Sequence, residues 1–145
     1  MEARRYVRTQ GVFFGGLVLL ITVCVWLTAC GQQPEEKRGE DWDYTVVPTA
    51  DCPKDFLAEI EKKKINAFQM TYDDGAYRYL AVGYGEQETN GFSIQVQGLY
   101  EKGDVLCLET SLVGPGEDQI VSNKKSYPFL VIKTKKTDKK VDFFD

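Results

Sequence analysis

The sequence predicts an α+β domain, mostly β: a single antiparallel sheet or sandwich-like domain with one N-terminal helix. Three observations carry that reading. Residues 53–64 hold the one stretch with a helical apolar stripe. From residue 67 onward apolar residues recur at the two-residue period of strands. Turn signals, Asp74-Gly75, Asn90-Gly91 and Gly114-Pro115-Gly116, separate the strand segments.

The elements follow in chain order. Arg4, Arg5 and Arg8 precede an apolar run from Val12 to Leu27, which ends at Thr28-Ala29-Cys30. A basic start, an apolar middle and a small-residue exit describe an export signal over residues 1–29. The run is short for a membrane span, which needs about 20 residues. Leu27-Thr28-Ala29-Cys30 resembles a bacterial lipobox, and that resemblance implies a diacylglyceryl group on the Cys30 thiol. The expected address is the outer face of a bacterial cell membrane, with membrane lipid as the partner of Cys30. Paired acyl chains give stable attachment at roughly 0.8 kcal/mol per buried methylene.

Residues 30–44 are polar and charge-rich, and read as the lipidated cysteine and its tether, with Trp42 and Tyr44 at its end beginning the folded part. The β-rich domain is expected over residues 45–145. Thr45-Val46-Val47 suits a short edge strand stopped by Pro48. Asp51 or Cys52 stands where a helix cap belongs, and Pro53 suits the first turn. Phe56, Leu57 and Ile60 form the apolar stripe; Asp55 and Lys62 to Lys64 suit the two ends of the helix dipole.

Ala67 to Tyr72 and Ala76 to Tyr84 read as a hairpin about Asp73-Asp74-Gly75. The second strand is apolar on both faces, so it belongs in the middle of the sheet. Phe92, Ile94 and Val96 alternate inward. Leu106, Leu108 and Leu112 do the same on the next strand, which sends Cys107 to the opposite face with Val105 and Glu109. Tyr127 to Lys133 and Val141 to Phe144 complete the strands. The aspartates at 73 and 74 are read as turn formers rather than calcium ligands, since a calcium loop needs more oxygens at set spacing.

Composition narrows function. Without residues 1–29 the chain carries 15 Lys+Arg against 21 Asp+Glu, a poor balance for binding nucleic acid. A local basic stretch, Lys133, Lys135, Lys136, Lys139 and Lys140, reads as a solvated strand end, with an anionic-lipid patch as the alternative. The chain has no histidine. Ser-His-Asp and Cys-His arrangements therefore cannot be built, and the common zinc sites lose their nitrogen ligand. No catalytic residue, metal ligand or cofactor is expected, and the chain does not read as an enzyme. Cys52 and Cys107 survive removal of the leader. Export permits a disulfide between them, but two cysteines fall short of a disulfide framework, and separate thiols are expected.

The candidate contact loop is Tyr84-Gly85-Glu86-Gln87-Glu88-Thr89-Asn90-Gly91-Phe92. Glycines bound it, and Asn90-Gly91 can take the positive φ of a tight turn. The run Gly83-Tyr84-Gly85-Glu86-Gln87, Thr89, Gly91-Phe92-Ser93-Ile94 resembles the signature of the PrcB-like domain family. Gly114-Pro115-Gly116 and Ser126-Tyr127-Pro128-Phe129-Leu130-Val131-Ile132-Lys133 are similar to two further segments of it. The resemblance spans residues 53–134, helix and first hairpin included. Asn90 and Phe92 depart from its more usual Gly and Tyr, which keeps the turn and the aromatic face. The family is named for a lipoprotein subunit of a bacterial surface protease complex. The resemblance therefore implies a non-catalytic accessory that binds a protein partner, with a protease as the implied kind. Two other readings stay open: an envelope glycan hydrolase using Glu86 or Glu88, and a lipoprotein that binds a small ligand.

Overall fold

The structure is a computed structural model that describes residues 38–145. Cys30 and the leader lie outside the described residues. The elements are β1 (Tyr44–Val46), a 3-10 turn (Thr49–Asp51), α1 (Lys54–Lys63), β2 (Ala67–Asp73), β3 (Tyr77–Tyr84), β4 (Ser93–Lys102), β5 (Val105–Val113), β6 (Phe129–Lys135) and β7 (Lys140–Phe144).

The mostly β, α+β class holds, but the strands form two sheets rather than a single one. One has the order β1-β6-β3-β2 and is antiparallel throughout. The other has the order β4-β5-β7, and β7 runs parallel to β5. No single sheet forms because β3 is apolar on both faces and needs a cover on each. Tyr79 and Ala81 face α1, in a cluster with Val47, Cys52, Phe56, Ile60, Phe68 and Val131. Leu80 faces the second sheet, in a cluster with Leu99, Leu106, Leu108 and Ile132. The layers are thus helix, four-stranded sheet, three-stranded sheet. As expected, β3 is internal to its sheet, and β1 is an edge.

Most strand registers follow the sequence pattern. Val96 packs on the inter-sheet cluster. The pairing of β4 with β5 then shifts between Val96 and Gly98, a bulge that brings Leu99 inward. Leu106 and Leu108 are buried as their alternation requires, and Cys107, on the opposite face, is buried as well. Cys52 sits in the helix-side cluster and does not pair with Cys107. Burial pushes the Cys52 thiol pKa upward, which keeps it protonated and chemically quiet.

Two details correct the sequence reading. Pro53, not Asp51 or Cys52, occupies the N-cap of α1, and no side chain caps it. The fold also starts ahead of Trp42, at Gly39. Gly39 N donates to Glu101 O, Glu101 N to Glu40 O, and Trp42 N to Leu99 O. This stretch covers the edge of β4, and the chain then continues as β1 along the edge of β6. One side of the sandwich is thereby closed by a single crossing segment.

The basic stretch is engaged locally. Lys133 lies over the Tyr77 ring and Lys135 over the Trp42 ring, at 4.9 and 4.2 Å from the centroids. Lys139 pairs with Glu101 and Lys140 with Asp142. Arg78, largely buried, donates from Nη1 to the carbonyls of Thr137 and Lys139. That clamp holds the connection by which the chain leaves β6 for β7 in the other sheet.

Candidate functional site

The loop between β3 and β4 is built by two glycines with positive φ, Gly85 at 73° and Gly91 at 90°. Each is also required by space. A Cβ on Gly85 would stand 2.9 Å from Ala67 N, and one on Gly91 would stand 2.9 Å from Pro115 Cβ. At both positions a side chain would meet a strained backbone and a collision together.

The loop is not a free excursion. Its partner is the long connection from β5 to β6, and hydrogen bonds join the two. Gln87 N donates to Ser126 O at 2.8 Å, and Ser126 N returns to Gln87 O at 3.1 Å, an isolated antiparallel bridge. Ser126 Oγ donates to Thr89 O at 2.6 Å. Ser122 N donates to Asn90 Oδ1 at 2.7 Å. Glu86 N donates to Ile65 O, which ties the loop to the segment after α1. Gln87 Nε2 reaches back to Tyr84 O. Sequence reading found the loop but missed its brace. Ser122, Lys125, Ser126 and Tyr127 lie more than thirty residues away, and no local pattern couples them to it.

The flanking aromatics are half-buried. Tyr84 OH shares a hydrogen bond with Thr110 Oγ1 at 3.0 Å, which pins the end of β3 to β5 in the other sheet. The Phe92 ring lies beside Gly114, with 3.7 Å from its Cε1 to a Cβ placed there. Beyond the brace, Ile120 is 96% exposed, and Val121 and Val113 are exposed too.

Glu86 has a defined state. The hydrogen bond from Lys125 Nζ, and then that from Tyr127 OH, hold its carboxyl below the usual glutamate range. The same contact raises the Lys125 pKa, and the carboxylate raises that of Tyr127. An ionised carboxylate with two donors already bound is unsuited to acting as a general acid. The sign follows from linkage: a lowered folded-state pKa stabilises above the ordinary glutamate value, and the contribution fades as acid protonates the group. As pH falls below the ordinary glutamate range, Tyr127 should loosen from the loop, and Glu86→Gln should flatten that dependence. The Tyr127 ring resonances, followed through an acid titration, report it; unchanged resonances in the parent chain would contradict the brace. Glu88 is exposed in the same loop.

Among the described residues, no group of three or more Cys, Asp and Glu side chains stands where a metal ion could be held. No described helix is long and apolar enough to cross a membrane.

Residues 78–135 match a protein-family model described as PrcB C-terminal. Nothing among curated proteins or solved structures matches the chain. The matched span runs from β3 through the loop, β4, β5 and the bracing connection to the end of β6. It begins at Arg78, so α1 and β2 fall outside it, unlike the wider resemblance expected from residue 53. The two segments that brace each other, 85–92 and 114–128, are both inside it, and on this match the chain carries a PrcB-like domain.

Proposed function

We propose that this chain is a non-catalytic accessory module, moored to the outer face of a cell membrane by lipid on Cys30, that binds and steadies an exported protein. A protease complex is the setting suggested by the family to which residues 78–135 are similar. The observation that carries the reading is the braced loop. Its backbone is bonded on both sides before any partner arrives, so little ordering entropy remains to be lost on binding. Ile120 and Val121 offer exposed apolar side chains beside it. Binding to the partner's folded state alone would stabilise that state by mass action.

Chain direction supports the same reading. Gly39 enters the domain beside Glu101, near the turn between β4 and β5. The braced loop lies at the other end of the strands, after β3 and before β4. The anchor itself rests on the leader sequence alone, and the glycan-hydrolase alternative gains nothing from Glu86, whose oxygens are occupied by Lys125 and Tyr127.

Labelled palmitate should enter the parent chain and not Cys30→Ala, which should leave the membrane fraction. Crosslinking in intact cells should capture a partner with the parent and lose it with Gly91→Val, which disturbs the loop against Pro115. A folded Gly91→Val chain that captures the same partner would overturn the loop as the contact.

A further inference from the structure

The two sheets have four outer edges, and three of them are guarded. The edge of β4 is covered by residues 39–42. β1 is three residues long and is soon followed by Pro48. β7 carries Lys140 and Asp142. Short edges, proline and charge are the usual devices against strand pairing. The edge of β2 has none of them before its last residue. Its register with β3 runs unbroken for seven residues, Ala67 to Asp73, with no lysine, proline or bulge, and its one charge is at the far end.

The hydrogen-bonding pattern shows which groups lie open. Asp74 N donates to Tyr77 O, so that pair is hydrogen-bonded. Alternation along an antiparallel ladder then makes Tyr72, Met70 and Phe68 the residues bonded to β3. Gln69, Thr71 and Asp73 turn their N–H and C=O groups to the open edge. Their side chains share the face opposite α1, and all three residues are exposed, because the three-stranded sheet does not extend over β2.

A cavity of about 320 Å³ adjoins this edge, lined by Ala67, Phe68, Gln69, Val82, Gly83, Tyr84 and Asp145. Asp145 is the one charged residue in that lining. The volume is at the small end for a ligand pocket. A partly apolar lining that includes the negatively charged Asp145 suits a side chain with an aliphatic stem and a cationic head. A row of backbone donors and acceptors beside such a cavity is what a strand-addition site requires: the edge supplies affinity, and the pocket supplies specificity.

We propose that the open edge of β2 takes an extended segment of a partner protein and seats a Lys or Arg side chain of that segment in the cavity beside Asp145. A second copy of this chain is disfavoured as the occupant. Antiparallel pairing of two β2 strands centred on Met70 puts Thr71 of one opposite Gln69 of the other, and Asp73 opposite Ala67. Directly opposed residues share a face, so the cavity would receive a carboxylate next to Asp145. The site goes beyond the braced loop, and the two fail separately, because β2 is untouched by Gly91→Val.

The test uses the full chain in detergent micelles with two blocked heptapeptides, Thr-Val-Thr-Lys-Thr-Val-Thr and its counterpart with Glu in place of Lys. The Lys peptide should slow hydrogen exchange at the Gln69 and Thr71 amides and bind at least about tenfold more tightly than the Glu peptide, a difference of about 1.4 kcal/mol. Asp145→Lys should erase that preference. Thr71→Pro, which removes only an outward N–H, should abolish binding with little change in Tm. Thr71→Lys, a charge guard at the same place, should weaken binding where the proline variant does not fold. Binding of the Lys peptide that survives both Thr71 variants, or its absence from the parent chain, would overturn the site. Protection of the same amides by raising protein concentration alone would assign the edge to a second copy and overturn the proposed occupant.

Discussion

Phe56→Ala should lower the stability of the domain by about 3–5 kcal/mol, the range for deleting a buried phenylalanine. Phe56 is 2% exposed and stacks on Tyr72 at 5.1 Å between ring centroids. It also meets Tyr79 edge-on at 6.4 Å. Helix α1 attaches to the sheet chiefly through this residue and Ile60, its two buried side chains. Beyond these two the helix offers the cluster only the partly buried Leu57, so the cavity left by alanine has little apolar material to fill it. The loss extends to the hairpin. Tyr79 OH donates to Asp74 Oδ2, and Asp74 Oδ1 accepts from the backbone N–H groups of Ala76 and Tyr77. Freeing the Tyr79 ring should loosen that turn as well. A drop in the denaturant midpoint with loss of near-ultraviolet circular dichroism is the expected signature. An unchanged midpoint would mean that the helix does not dock through Phe56.

Leu80→Ala should cost about 2–5 kcal/mol, on the opposite face of the same strand. Leu80 is fully buried between the sheets, with Leu99, Leu106, Leu108 and Ile132 around it. The two substitutions empty different layers, so their costs should add, as they do for sites without shared partners. Their sum is comparable to the whole stability of an ordinary domain, about 5–15 kcal/mol. The double variant should therefore populate the unfolded chain in water, while each single variant keeps a measurable unfolding transition. Strongly subadditive costs would indicate that helix and second sheet are not separate covers of one central sheet.

These two side chains also show what was legible in the chain. The pattern Tyr77 to Tyr84 is apolar at every other position on both faces, which marks β3 as internal. Phe56 and Ile60 stand four apart, one helical turn, which marks the buried stripe of α1. Asp74-Gly75 marks the hairpin, and the aspartate turns out to accept the bonds that make it. Local alternation does not say where one sheet stops and another begins. Leu80 and Leu106 have the same strand pattern and belong to different sheets. The parallel position of β7 was equally hidden, since a strand's residues do not record the direction of its neighbour.

The candidate site divides in the same way. Gly85 and Gly91 were visible as turn residues because positive φ is a property of the residue itself. The brace was invisible because Ser126 and Lys125 find their partners across thirty or more residues. Glu86 reads from the sequence chiefly as a surface glutamate, with carboxylate catalysis as the weaker alternative, and Lys125 and Tyr127 occupy its oxygens.

The sequence by itself determined the period of each element, the turns and the helix stripe, since all of these depend on neighbours within a few residues. Tertiary structure alone decided that there are two sheets, that residues 39–42 close one side, and that the edge of β2 is left open. Those outcomes depend on which distant apolar faces and backbone edges find one another, and that choice is made by packing the whole chain at once.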